Sequence, residues 1–228
     1  MASKQNVTFP SNGGEAHGYL ATPPAGRGPG LVVIQEWWGL TDHIASLVDR
    51  FASEGFVALA PDLYGGRTTH DADEAGRLMQ QLPVEQASRD LGGAVAYLLG
   101  RDDVEGERVG AVGFCMGGAF VLTLAAQQGE RVGAAVPFYP VGPMPDDYSG
   151  MKAAVLVQWA DKDDFQQPGA AEELAAKIKA GTGRDPEVAH YGAGHAFLND
   201  ENRLGTYDPA QAKLAWDRTV AFLRDNLR

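Results

Sequence analysis

The sequence predicts an α/β protein: a mostly parallel sheet flanked by helices on both faces, in a single domain over residues 1–228. Three observations predict it. Apolar runs of strand length alternate with helical patterns almost throughout, the pattern of strands joined by crossover helices. Several of those runs, such as "LVVIQE" and "FVALA", are continuously apolar and β-branched, as strands covered on both faces are. No repeat, low-complexity tract or linker divides the series, and 228 residues suffice for one large core.

The elements follow in order. "NVTF" and "AHGYLAT" read as an antiparallel hairpin at one sheet edge. "LVVIQE" (Leu31–Glu36) is a buried strand introduced by the turn residues "GRGPG". "TDHIASLVDRFASEG" places Ile44, Leu47, Val48 and Phe51 on one helical face, with Thr41 or Asp42 as cap and Gly55 as the stop. "FVALA" is the next strand, ended by Pro61. After a Gly-rich loop, Asp71–Gln81 and Val84–Leu99 read as helices. "RVGAVGF" is a strand, "MGGAFVLTLAAQQ" a helix and "RVGAAVPFY" a strand again. "AAVLVQW" (Ala153–Trp159), a helix around Ala170–Ala180, the strand "EVAHY" (Glu187–Tyr191) and a helix from Pro209 to Leu227 complete the chain. Alternation in "EVAHY" points His190 into a packed layer or at a helix.

Composition narrows the function classes. Basic residues number 19 against 30 acidic ones, a net charge of −11, and no Lys/Arg cluster stands out. That balance argues against nucleic acid and anionic membrane surfaces as partners. No apolar run is long enough to span a bilayer, and "MASKQNVTFPSNGG" lacks the apolar stretch of a signal peptide. The chain has one cysteine, which cannot form an internal disulfide, so the expected setting is a reducing cytoplasm. The acidic loops lack convergent His/Cys spacing, so no metal and no cofactor is expected.

That single cysteine is the most informative residue. Gly113-Phe114-Cys115-Met116-Gly117 places it between a strand and a helix in the pattern glycine–x–nucleophile–x–glycine. Such a turn is so sharp that side chains two residues to either side would collide with other backbone, hence the glycines. The following helix aims its free N–H groups and positive dipole end at the sulfur. This favours thiolate, and the Met116 N–H becomes an oxyanion donor. A base and its orienting acid should follow in chain order. Of five histidines only His190 and His195 lie beyond Cys115. His195, in "YGAGHAF" on a flexible loop at the carboxyl edge of the sheet, is the expected general base. His17, His43, His70 and His190 read as surface or packing residues. The acid should follow "AAVLVQW", where "ADKDDF" offers Asp161, Asp163 and Asp164, and spacing does not choose among them. Glu36, ending a strand and followed by Trp37 and Trp38, has an apolar setting that would raise its pKa and suit it to accept a proton.

The segments "QEWWG", "APDLYG", "GFCMGG", "DKDDF" and "GAGHAF", in that order from Val7 to Leu227, resemble the dienelactone hydrolase family, an α/β-hydrolase branch with a cysteine nucleophile. The resemblance implies an α/β-hydrolase fold, Cys115 as nucleophile, His195 as the triad histidine and Asp163 as its acid. It implies that Glu36 contacts the resting thiol and takes its proton, and that the Trp37 N–H is the second oxyanion donor. The small-molecule substrate it implies is a carboxylic ester or lactone, opened through a thioester. The sequence departs from the family at two substrate-gripping arginines, replaced here by Asn199 and Ala72, with Arg67, Arg77 and Arg203 as the possible substitutes. Trp37, Trp38, Tyr64, Phe165 and Phe197 are the expected pocket walls, with Asn199 beside them. Two other readings keep the same scaffold: a general small-ester carboxylesterase or thioesterase, and a non-catalytic ligand-binding or redox-sensing protein. The sequence assigns no oligomeric state.

Overall fold

The computed structural model describes residues 4–11 and 13–227. Residues 1–3, 12 and 228, which belong to the stretches read above for the N-terminus and the domain ends, lie outside that description. An eight-stranded sheet runs in the order β1-β2-β4-β3-β5-β6-β7-β8. Its strands are β1 (Val7–Ser11), β2 (Gly14–Ala21), β3 (Gly28–Ile34), β4 (Val57–Pro61), β5 (Val104–Phe114), β6 (Val132–Phe138), β7 (Ala154–Ala160) and β8 (Glu187–Tyr191). The helices are α1 (Asp42–Ser53), α2 (Ala72–Gln81), α3 (Val84–Leu99), α4 (Met116–Gln128), α5 (Ala170–Thr182) and α6 (Pro209–Asn226). The expected hairpin is present: β1 and β2 pair antiparallel, β2 joins β4 antiparallel, and every pairing from β4 to β8 is parallel.

Helices cover both faces. On one side α3 and α4 pack against the central strands; on the other lie α1 and α6. The last two meet through Phe51 and Trp216, whose rings are 4.3 Å apart, with the Arg50 guanidinium 3.9 Å over the indole. Strand β6 is buried at every residue and helix α4 along most of its length, in keeping with an α4 sequence that is apolar nearly all round. A polar tie crosses this core. Gln158 of β7 donates to the Ala215 carbonyl (3.2 Å) and the Thr219 hydroxyl (2.8 Å) of α6, and its carbonyl accepts from Tyr191 of β8. Among the described residues no helix is long and apolar enough to cross a membrane.

Strands β3 and β5 end or begin elsewhere than the sequence reading places them, each through a contact outside the strand, and the cap left open at α1 is decided. Strand β3 stops at Ile34 rather than Glu36: the Gln35 side chain accepts the Leu63 N–H and the Glu36 carbonyl accepts Gly39 N–H in a turn. Strand β5 begins at Val104, because Val104 and Glu105 pair with Gly28 and Pro29. At α1 the capping residue is Thr41, whose hydroxyl accepts the Ile44 N–H. One orientation is corrected: His190 on the edge strand β8 is half exposed and pairs through Nδ1 with Asp161 at 2.7 Å.

Candidate active site

The carboxyl ends of β3, β5, β7 and β8 converge on one edge of the sheet, where open α/β sheets take their ligands. Cys115 lies between β5 and α4 with φ 57° and ψ −118°, a conformation that costs a non-glycine residue about 1–3 kcal/mol. The surrounding structure holds it there. Its N–H donates to the Phe138 carbonyl (3.1 Å), and its own carbonyl accepts from Gly118 (2.9 Å) and Val141 (3.1 Å). The two flanking glycines are required sterically. A Cβ at Gly113 would sit 2.3 Å from the Gly117 carbonyl oxygen, and one at Gly117 would sit 2.4 Å from that of Ile34. The thiol is buried at the N-terminus of α4.

His195 comes from the loop after β8 and is 5% exposed. Its Nδ1 donates to Asp163 Oδ2 at 2.6 Å, and Asp163 is fixed in turn as its other oxygen accepts the Phe165 N–H at 2.9 Å. The acid left open among three is thereby distinguished: Asp163 points inward, Asp161 is taken by His190, and Asp164 is exposed. Burial opposes a charged imidazole, but the Asp163 hydrogen bond and the neighbouring Cys115 sulfur outweigh it and push the His195 pKa up to about 10. The ring thus lies between a carboxylate and a sulfur, both of which favour its protonated form. Its faces are held by aromatic contacts, Tyr139 at 5.1 Å and Phe165 at 4.8 Å.

Glu36 is 2% exposed, just past the end of β3. Its Oε2 accepts the Asn199 amide at 2.6 Å, while Oε1 is buried without a hydrogen-bond partner. The Asn199 amide is oriented by its own oxygen, which accepts the Glu201 N–H. Burial raises the Glu36 pKa above the usual carboxylate value, opposed by His43, the Asn199 hydrogen bond and His195. Asn199 thus holds Glu36.

The remaining residues divide into walls and packing. Trp37 is half-buried and meets Trp38 edge-on at 4.9 Å; Trp38 is buried, with Arg203 over its ring. Tyr64 bonds the Met116 sulfur at 3.6 Å, and burial together with the nearby Cys115 raises its pKa well above that of a free phenol. Phe165 is 53% exposed beside the His195 ring. Phe197 is a correction: it has no exposed surface and packs between Tyr139 and Tyr191, so it belongs to the layer behind the site. Of the three arginines, Arg67 and Arg77 are exposed, whereas Arg203 is tied to Glu201 at 2.7 Å and to His70 at 2.8 Å. Ala72 is the exposed first residue of α2. Among the described residues no cluster of three or more His, Cys, Asp or Glu side chains is arranged to hold a metal ion.

Two residues at the site were missed by the sequence reading. Tyr139, at the end of β6 with φ 34°, is fully buried, and the charges of Glu36, Cys115 and Asp163 all bear on its hydroxyl. Its place directly after a strand's carboxyl end was the available signal. His43, read as a surface or packing residue, is buried, and its charge bears on Glu36.

Comparison with known proteins gives the same fold and the same family. The chain is 38% identical to "Protein usf" of Aquifex pyrophilus over 231 residues, covering 98% of this chain and 99% of that protein. It is 34% identical to the "Putative carboxymethylenebutenolidase" of Aquifex aeolicus (strain VF5), covering 98% and 99%. Among solved structures, a "Putative Dienelactone Hydrolase" of Klebsiella pneumoniae subsp. pneumoniae MGH 78578 superposes with a TM-score of 0.84 at 28% identity, over 97% of each chain. The dienelactone hydrolase-like promiscuous phosphotriesterase P91 from metagenomic libraries gives 0.83 at 25% identity, over the whole of both chains. A model of the family described as "Dienelactone hydrolase family" matches residues 16–227, and the chain belongs to that family, with its α/β-hydrolase fold.

Proposed function

We propose that the protein hydrolyses small carboxylic esters or lactones with a Cys115–His195–Asp163 triad, through a thioester acyl-enzyme. The 2.6 Å bond from His195 to inward-facing Asp163, with the ring beside a sulfur held in a strained strand-to-helix turn, is the observation that carries the reading. Relatives named carboxymethylenebutenolidase support the substrate class.

Cys115 thiolate attacks the carbonyl carbon, and the charge that develops on the oxygen is met by the Met116 and Trp37 N–H groups. Neither group donates to another described residue. One such donor is worth about 10²–10³ in rate. Glu36 takes the thiol proton as the nucleophile forms. The His195 imidazolium protonates the leaving alkoxide and, once neutral, activates the water that cleaves the thioester. In a lactone the leaving oxygen stays tethered, and the ring opens to a hydroxy acid.

The favoured substrate is a neutral ester or lactone. Asn199 stands where the family's carboxylate-gripping arginine stands and is bonded to Glu36, while Arg203 already serves Glu201. The test is hydrolysis of a carboxylated dienelactone, its methyl ester and p-nitrophenyl acetate by wild type and Cys115→Ala. The expected result is preference for the neutral esters and a loss of at least about 10³-fold in kcat for the variant. Turnover unchanged in Cys115→Ala would remove the nucleophile assignment. Preference for the free carboxylate would restore an anionic substrate.

A further inference from the structure

Single apolar side chains on a protein surface need no explanation, and Val84, Met144, Tyr207 and Leu214 are exposed in this way. Phe165 is exposed too, at 53%, yet its ring centroid lies 4.8 Å from that of His195, which is itself buried. Among the described residues two aromatic rings contact this imidazole. Tyr139, at 5.1 Å, has no exposed surface and belongs to the core, whereas Phe165 presents about half of its surface to the outside.

Backbone contacts, rather than burial, fix Phe165 in place. It stands in the loop between β7 and α5, where its N–H donates to Asp163 Oδ1 at 2.9 Å. The carboxylate that holds His195 therefore also holds the Phe165 main chain. The next N–H, that of Gln166, donates to the Asp163 carbonyl at 3.1 Å, and the Gln166 side-chain amide donates to the Pro140 carbonyl. One residue beyond Pro140, the Val141 N–H donates to the Cys115 carbonyl at 3.1 Å. The turn that carries Phe165 is thus tied to the turn that carries the sulfur. An apolar surface held this firmly loses little further entropy when a ligand covers it.

Which part of a substrate meets Phe165 follows from the role of His195. Its Nδ1 is taken by Asp163, so Nε2 is the nitrogen that bonds with Cys115 and serves the reaction. When the tetrahedral intermediate collapses, its carbon–oxygen bond to the alcohol breaks. The electron pair goes to that oxygen, and the proton of Nε2 forms the new O–H. This transfer needs the leaving oxygen within about 2.6–3.2 Å of Nε2. The acyl carbon is meanwhile bonded to the sulfur, with its oxygen at the Met116 and Trp37 N–H groups. The first carbons of the alcohol therefore come to the ring that Phe165 flanks, while the acyl chain starts from Cys115.

We propose that Phe165 is a specificity-determining residue on the leaving-group side, and that the protein prefers esters whose alcohol is aromatic, a phenol or an arylmethyl alcohol. The inference rests on the triad reading given above. An aromatic alcohol can lie offset or edge-on against Phe165 and cover its exposed surface, whereas an alcohol of one or two carbons leaves that surface wet. The contact exists before the reaction as well as during it, so it acts chiefly on KM.

Ethyl acetate, benzyl acetate and ethyl phenylacetate separate the two sides of the site. The ring is absent from the first, on the alcohol in the second and on the acyl part in the third, and the leaving alcohols differ little in acidity. In wild type, kcat/KM for benzyl acetate is expected to exceed that for ethyl acetate by about tenfold, mostly through KM, with no such advantage for ethyl phenylacetate. The advantage should disappear in Phe165→Ala and persist in Phe165→Tyr, which keeps an aromatic face. Lost support for the His195 ring would slow all three esters together and leave their ratios alone, so the ratio tells specificity from positioning. No advantage for benzyl acetate in wild type would overturn the proposal, and that comparison decides even if Phe165→Ala fails to fold. An advantage kept in Phe165→Ala while Cys115→Ala is inactive would overturn it too, and would leave the triad standing. Turnover retained by Cys115→Ala would remove the triad first and this assignment with it.

Discussion

Glu36 is a carboxylate where a protein designed for stability alone would have none. Its native pKa lies above the usual 4.5 because burial penalises the charge more than His43, Asn199 and His195 favour it. The native state therefore binds this proton more tightly than the unfolded chain does. Above the native pKa the fold carries a buried charge that it pays for, and below about 4.5 both states are neutral and the penalty disappears. Glu36→Gln keeps an acceptor for the Asn199 amide and removes the charge. It should stabilise the protein by about 0.5–2 kcal/mol near pH 8, a gain that fades as pH falls toward 4.5, while activity drops. Thermal unfolding of the variant at the two pH values checks this, and a lower Tm at the alkaline value would contradict it. At this scale the positions of Cys115 and His195 were legible in the sequence, because a lone cysteine in a glycine-flanked turn and a histidine after the last strand are local signals. Asp163 was separable from Asp161 and Asp164 only through the family resemblance, since the choice depends on which carboxylate the Phe165 N–H turns inward. The His43–Asp200 contact spans 157 residues and left no local trace.

Between elements, the site depends on how closely α4 approaches β3. The backbone of the α4 N-terminus lies against the end of β3, and Gly117 is what lets it: an added Cβ would meet the carbonyl oxygens of Ile34 at 2.4 Å and Gln35 at 2.5 Å. Both obstacles are main chain and cannot rotate away. Gly117→Ala should therefore cost about 2–3 kcal/mol as the helix moves off the strand. A displacement near 1 Å at Cys115 should also lower kcat about 10²-fold. Gly76→Ala is the internal contrast, a helical position with nothing within 4 Å of the new methyl, expected to stabilise by about 0.5–1 kcal/mol. Urea unfolding of the two variants decides it; equal stability would mean that α4 has room to shift. Element identities were legible because buried parallel strands and amphipathic helices differ in length and period, and α2, α3 and α6 fall within a residue of their expected limits. The ends of β3 and β5 were not, since each is set by a partner strand or a side-chain contact far along the chain. His190 was misplaced for a related reason: alternation gives a strand two faces, but not that the edge strand β8 is incompletely covered on them.

At the scale of the whole molecule, one sheet and one continuous apolar cluster run from Phe9 in β1 to Leu227 after α6. The groups of the candidate site are drawn from distant parts of that single assembly, with 163 residues separating Glu36 from the Asn199 amide that holds it. The inner strands β3, β4, β6 and β7 cannot leave without exposing apolar residues on both faces, and the Gln158–Thr219–Tyr191 tie links the last two strands to α6. Unfolding should thus be one cooperative transition, with a heat-capacity change of about 3 kcal/mol/K for a chain of 228 residues. The four tryptophans report from different regions: Trp37 and Trp38 after β3, Trp159 in β7 and Trp216 in α6. Tryptophan fluorescence, far-ultraviolet circular dichroism and residual esterase activity should share one urea midpoint, and the calorimetric and van't Hoff enthalpies should agree. Loss of activity at a clearly lower urea concentration would show that the loop after β8, which carries His195, Asn199 and Asp200, opens before the sheet does. That result would make the catalytic edge a separate unfolding unit and would relocate the rigidity of the site to the β5–α4 turn alone.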